Sequence, residues 1–60
     1  MRFVIKRISD NSYLMVLKMA LLENCQWTMN INEAKVMTSG LSQNFVRRFT
    51  SEEFEIISID

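Results

Sequence analysis

The sequence predicts a small α+β domain: an antiparallel sheet with one main helix, residues 39–49, packed on one face, the whole assembled as a homodimer. Three observations predict it. The chain opens and closes on strand-like segments, RFVIKRI at 2–8 and EFEIISI at 53–59. Both are rich in Phe, Val and Ile, which fit a pleated, half-buried surface. Between them Leu41, Phe45, Val46 and Phe49 recur as one stripe on a 3.6-residue period. Finally, 48% of the 60 residues are hydrophobic. A domain this small hides only about 60% of the surface its unfolded chain exposes, so one protomer cannot readily cover that much apolar side chain.

In the first strand, alternation places Phe3, Ile5 and Arg7 on one face and Arg2, Val4, Lys6 and Ile8 on the other. Ser9, Asp10, Asn11 and Ser12 are four successive turn formers, and an antiparallel hairpin is the natural sequel. The next run, YLMVLKMALL at 13–22, is ambiguous. Its Leu, Met, Ala and Lys favour a helix, with Ser12 as N-cap and Asn24 as its close. A short buried strand is equally apolar all round.

CQWTM at 25–29 reads as extended, with Cys25, Trp27 and Met29 on one side. Residues 30–34 resemble one helical turn capped by Asn30, Glu33 standing at the capping-box position. Residues 35–37 are either a brief strand or a continuation of that turn. The helix over 39–49 takes Thr38 or Ser39 as N-cap. Arg47 and Arg48 fall in its last turn, where the helix dipole favours cations. In the last strand, Phe54, Ile56 and Ser58 share one face, and Glu53, Glu55, Ile57 and Ile59 the other.

The seven basic residues cancel the seven acidic ones, so no global field recruits nucleic acid or an anionic membrane. The distribution is uneven: Arg2, Lys6, Arg7 and Lys18 lie early, and Glu52, Glu53, Glu55 and Asp60 lie late. Two ends lying side by side would offset each other; the functional alternative is an acidic edge presented to a basic partner. The single Cys, with no His, makes neither an internal disulfide nor a structural zinc site. Cys25 is read as a small apolar residue in a reducing cytosol. The longest apolar stretch, 13–22, is well short of the roughly 20 residues a bilayer span needs. No signal-peptide pattern opens the chain. A soluble, cytoplasmic protein is expected.

Catalytic chemistry wants His, Cys or paired carboxylates in a cleft, and a single glycine cannot build a phosphate loop. No catalytic, cofactor or metal residue is therefore assigned. Glu52, Glu53 and Glu55 read as a solvated strand start that discourages edge-to-edge pairing. Gln43, Asn44, Arg47 and Arg48 form a polar helix face able to contact a partner's acids or phosphates. Tyr13 and Trp27 are candidate interface anchors, since aromatics dominate binding hot spots; core packing is the plainer role for each. The five methionines suit an adaptable apolar surface. One helix covers only one sheet face, so Val4, Ile8, Ile57 and Ile59 call for another cover, for which a twofold-related copy is the commonest source.

The layout resembles a group of small proteins from phages and prophages of Gram-positive bacteria. The matching residues are Phe3–Arg7, Tyr13–Leu14, Trp27–Thr28, Ile31–Met37, Leu41–Phe49 and Phe54–Ile57. The resemblance implies a three-stranded meander before the helix, and hence a strand over 13–19. The chain departs from the pattern at 18–24, KMALLEN, which is more apolar and less turn-like. No functional residues are carried over. The function expected is that of a non-enzymatic phage-type interaction protein that binds and inhibits or redirects a host protein in the host cytoplasm, an anti-defence inhibitor being the sharpest version. The alternatives are a nucleic-acid-binding regulator, disfavoured by the neutral charge, and a structural assembly factor.

Overall fold

The computed structural model describes residues 1–60 and places four antiparallel strands in the order β3-β2-β1-β4. These are β1 (Phe3–Arg7), β2 (Ser12–Val16), β3 (Gln26–Thr28) and β4 (Phe54–Ser58), with one helix, α1 (Ser39–Arg48), between β3 and β4. The chain is α+β with the expected meander. Single 3-10 turns at Leu22–Asn24 and Ile31–Glu33 complete it.

The turn formers after β1 act through Asp10. Its carboxylate accepts from the Ser12 amide at 3.0 Å, the Ser12 hydroxyl at 2.6 Å and the Arg7 guanidinium at 2.7 Å. Asn11 takes φ 61°, a left-handed conformation that Asn tolerates better than most side chains. Beyond this turn β1 and β2 pair directly only at Lys6–Tyr13 and Arg7–Ser12. A register shift between Leu14 and Val16 bends β2, as bulges do. Residues 35–37 fill the gap that opens. Lys35 donates its amide to the Leu14 carbonyl at 2.8 Å, and Phe3 and Met37 exchange amide bonds at 3.0 and 2.9 Å. The segment 35–37 is thus an isolated bridge, not a continued helix.

Strand β2 ends at Val16, so the strand expected over 13–19 is too long and the helix reading of 13–22 does not hold. The apolar residues of KMALLEN and its flank serve another purpose. Leu17, Met19 and Leu22 pack against the core from an irregular loop. Tertiary burial here overrides helix propensity. The turn at Ile31–Glu33 is capped by Asn30, whose side chain accepts from the Asn32 amide at 3.0 Å. Glu33 does not close a capping box; it accepts instead from the Thr28 hydroxyl at 2.8 Å.

Thr38 is the cap of α1, its hydroxyl oxygen accepting from the Leu41 amide. The predicted stripe is the inner face: Phe45 and Phe49 are buried, and Leu41 and Val46 pack beside them. Ser42 is fully buried too, and its hydroxyl donates to the Ser39 carbonyl at 2.8 Å. The helix lies on the sheet face that carries Ile5, Leu14, Trp27 and Phe54. Of the trio expected together, Cys25 is buried and Trp27 half-buried, but Met29 is 69% exposed because β3 stops at Thr28.

The chain ends do neutralise each other. β1 pairs with β4 along its length, setting Lys6 opposite Glu55. Arg2 Nε donates to the Asp60 carboxylate at 2.9 Å. On the face away from the helix, Val4 is fully buried within the single chain, and its register partner Ile57 is half-buried. No helix is long and apolar enough to cross a membrane.

Candidate functional site

The six residues singled out from the sequence do not converge. Gln43, Asn44, Arg47 and Arg48 are exposed on α1. Two of them have local partners: Gln43 donates to the Ser39 hydroxyl at 3.1 Å, and Arg48 donates to the carbonyls of Met19 and Ala20 at 2.7 and 3.2 Å. Tyr13 pairs with Lys6 and Thr28, which places it on the sheet face opposite the helix. Trp27 faces the helix side, and it alone lines the one concave site.

That site is an open cleft of ≈ 490 Å³ between the end of β1, the 21–25 loop and the residues before β4. Its apolar part is Leu21, Leu22, Cys25 and Trp27. Leu21 is 51% exposed at the mouth, whereas Cys25 is buried and held at 3.4 Å by the Lys18 amide and carbonyl. Trp27 is fixed from several sides. Its ring stacks on Phe54 with centroids 5.8 Å apart and planes 4° from parallel, and meets the edge of Phe45 at 6.3 Å. Offset-stacked and edge-to-face arrangements of this kind are the favoured geometries of aromatic pairs.

Three charged side chains complete the cleft: Arg7, Glu23 and Glu52. The Arg7 guanidinium lies 4.2 Å from the centroid of the Trp27 ring and is bound to Asp10 by two hydrogen bonds, at 3.2 and 2.7 Å. The Asp10 hydrogen bond raises the Arg7 pKa; partial burial opposes it, and the charges of Asp10 and Glu52 add to it. The bonds from Arg7 and then from Ser12 hold the Asp10 carboxyl well below the usual carboxylate range. Arg7 and Asp10 thus cancel locally. Glu52 has only a long bond from the Ser9 hydroxyl, 3.4 Å, and neither Glu52 nor Glu23 belongs to an ion pair.

The result is an apolar floor with a rigid indole and two unpaired carboxylates at the rim. Such a site can hold a cation on an apolar stem: the stem covers Leu21 and Leu22 beside the edge of Trp27, whose faces are taken by Phe54 and Arg7, and the head meets Glu23 or Glu52. No histidine is present to move a proton at the site. No three His, Cys, Asp or Glu side chains are grouped so as to hold a metal ion.

Sequence reasoning found Trp27 and missed the rest, because Arg7 and Glu52 reach the 21–27 stretch only through the fold. One signal was available. Alternation already set Arg7 on the same face as Phe3 and Ile5, and a charge on a core face requires a partner. Comparison with known proteins gives no matching family model, no matching curated protein and no matching solved structure.

Proposed function

We propose that this chain is a non-enzymatic interaction protein of the phage type. It binds a host protein in the cytoplasm and inhibits or redirects it, with inhibition of a defence system as the sharpest form. The observation that carries the binding reading is the cleft at Trp27: wide, open, apolar-floored and acid-rimmed. A surface depression of this form receives a protruding side chain, and aromatic residues and Arg are the types in which interface energy concentrates. The complementary chemistry on the partner is a lysine or arginine flanked by apolar residues. The phage and host parts of the proposal are supported by the resemblance of the strand, cap and helix pattern to small phage proteins.

The nucleic-acid reading has less to stand on, since Arg48 is occupied by the 17–21 loop and the chain carries no net charge. The test is capture of targets from a Gram-positive host lysate by the wild-type chain and by a Glu23→Lys, Glu52→Lys variant, followed by titration against the purified target. Stoichiometric inhibition without cofactor, weakened at least tenfold by the charge reversal, supports the proposal. Multiple turnover at substoichiometric protein overturns it. Trp27 is the only tryptophan, so its emission reports occupancy of the cleft directly.

A further inference from the structure

The two edges of the sheet differ. β3 is three residues long and lies beside the register shift of β2, so it offers a partner little regular backbone. β4 is five residues long and pairs with β1 without interruption. In an antiparallel ladder, residues alternate between those bonded to the neighbour and those whose amide and carbonyl point the other way. Ile59 donates to the Arg2 carbonyl at 3.1 Å and Ile8 to the Glu53 carbonyl at 3.2 Å. By alternation Ile57 and Glu55 also bond inward to β1. The amides and carbonyls of Phe54, Ile56 and Ser58 therefore point to the open edge, where no other strand lies. Ile56 and Ser58 are exposed there, no Pro interrupts the strand, and of the acids expected to discourage such pairing Glu55 stands opposite Lys6 of β1.

We infer that this edge pairs with the β4 edge of a second copy of the chain, antiparallel about a twofold axis at Ile56. The inference stands apart from the cleft reading: it needs no host target and uses a different surface. Centring and charge together choose the register: only an axis at Ile56, the middle residue of β4, pairs all five strand residues with those of the copy. With the axis at Glu55, that residue would face its own copy, and like charges directly opposite are destabilising. With the axis at Ile56, Phe54 faces Ser58 of the second copy, Ile56 faces Ile56, and Glu55 faces Ile57. All the outward amides and carbonyls of Phe54, Ile56 and Ser58 then find partners, and both exposed Ile56 side chains lose water contact. Each copy is neutral, and the acids of this edge are partly offset by Lys6 opposite Glu55 and by Arg2 bonded to Asp60, which limits repulsion on approach. The product is a continuous eight-stranded sheet, β3-β2-β1-β4 joined to its twofold copy.

Sedimentation equilibrium of the full chain, up to concentrations of several hundred micromolar, tests this with two variants. Ser58→Pro removes one outward amide and spares the ladder to β1, since proline is tolerated on a free edge. Ile56→Lys sets two like charges on the axis. The wild type is expected to reach twice the monomer mass. Each variant should keep the wild-type circular dichroism spectrum while its dimer dissociation constant rises at least tenfold. A wild type that stays monomeric throughout overturns the inference. So does a dimer that both folded variants retain, which would place the contact on another face.

Discussion

Arg48 and Met19, 29 residues apart in sequence, are joined by a 2.7 Å hydrogen bond from the Arg48 guanidinium to the Met19 carbonyl, and a second bond reaches Ala20. The last turn of α1 thereby holds the loop that carries Leu21 and Leu22 into the cleft. Arg47, its neighbour, makes no such bond. Arg48→Ala is expected to destabilise by about 1–2 kcal/mol, in the range of charge-assisted bonds at a solvated site. Arg47→Ala should stay within about 0.5 kcal/mol. Urea denaturation of both variants measures the difference, and equal effects would remove the loop-holding role.

The aromatic cluster predicts where stability concentrates. Phe45 is fully buried and touches Trp27, Phe49 and Phe54 at centroid distances of 6.3, 5.0 and 5.1 Å. Phe45→Ala should cost about 3–5 kcal/mol, enough to unfold much of a domain this size at 25 °C. Phe45→Leu keeps most of the volume and should retain a cooperative transition. The check is thermal unfolding followed at Trp27, whose environment the same substitution alters.

The acid limb of stability should depend on Asp10 and Asp60. Both carboxyls are held below their ordinary pKa, Asp10 by Arg7 and Ser12, Asp60 by Arg2 through its side chain and then its backbone amide. A group depressed in the folded state binds more protons when unfolded. Its stabilisation is therefore complete above the unfolded value, near 4, and is lost as pH falls below it. The double variant Asp10→Asn, Asp60→Asn should show a flatter loss of stability between about pH 4 and pH 2 than the wild type. Urea midpoints across that range decide it; parallel acid limbs would show that other carboxylates govern acid unfolding.

The parts of the fold legible in the sequence are those with a local period. The stripe of Leu41, Phe45, Val46 and Phe49 specifies the inner face of α1, and alternation puts Ile5 on one side of β1 and Val4 on the other; the structure keeps the stripe and buries both strand residues. The run at 13–22 was not legible, because Leu17, Met19 and Leu22 are half-buried by packing against the core and no local pattern encodes that. Ser42 escaped for the opposite reason: a small polar residue reads as surface, yet it lies under the helix with its hydroxyl bonded to Ser39. Five of the seven residues lining the cleft lie between Leu21 and Trp27, and the other two, Arg7 and Glu52, join them only through the fold. Arg7, Cys25 and Glu52 become neighbours only when β1 pairs with β4 and the 21–25 loop folds over Trp27.

The only glycine is expected to be dispensable. Gly40 lies in the first turn of α1, its φ is not positive, and a methyl group built on its α-carbon would meet nothing within 4 Å. Neither a left-handed turn nor a close backbone approach therefore requires glycine there. What glycine does contribute is conformational freedom to the unfolded chain, which folding must remove. Gly40→Ala should raise stability by about 0.4–1 kcal/mol, seen as a higher urea midpoint with an unchanged slope. The gain should leave Trp27 emission in the folded state as it is, because residue 40 lies outside the cleft. A lower midpoint would overturn the reading that no feature of the fold requires glycine at this position.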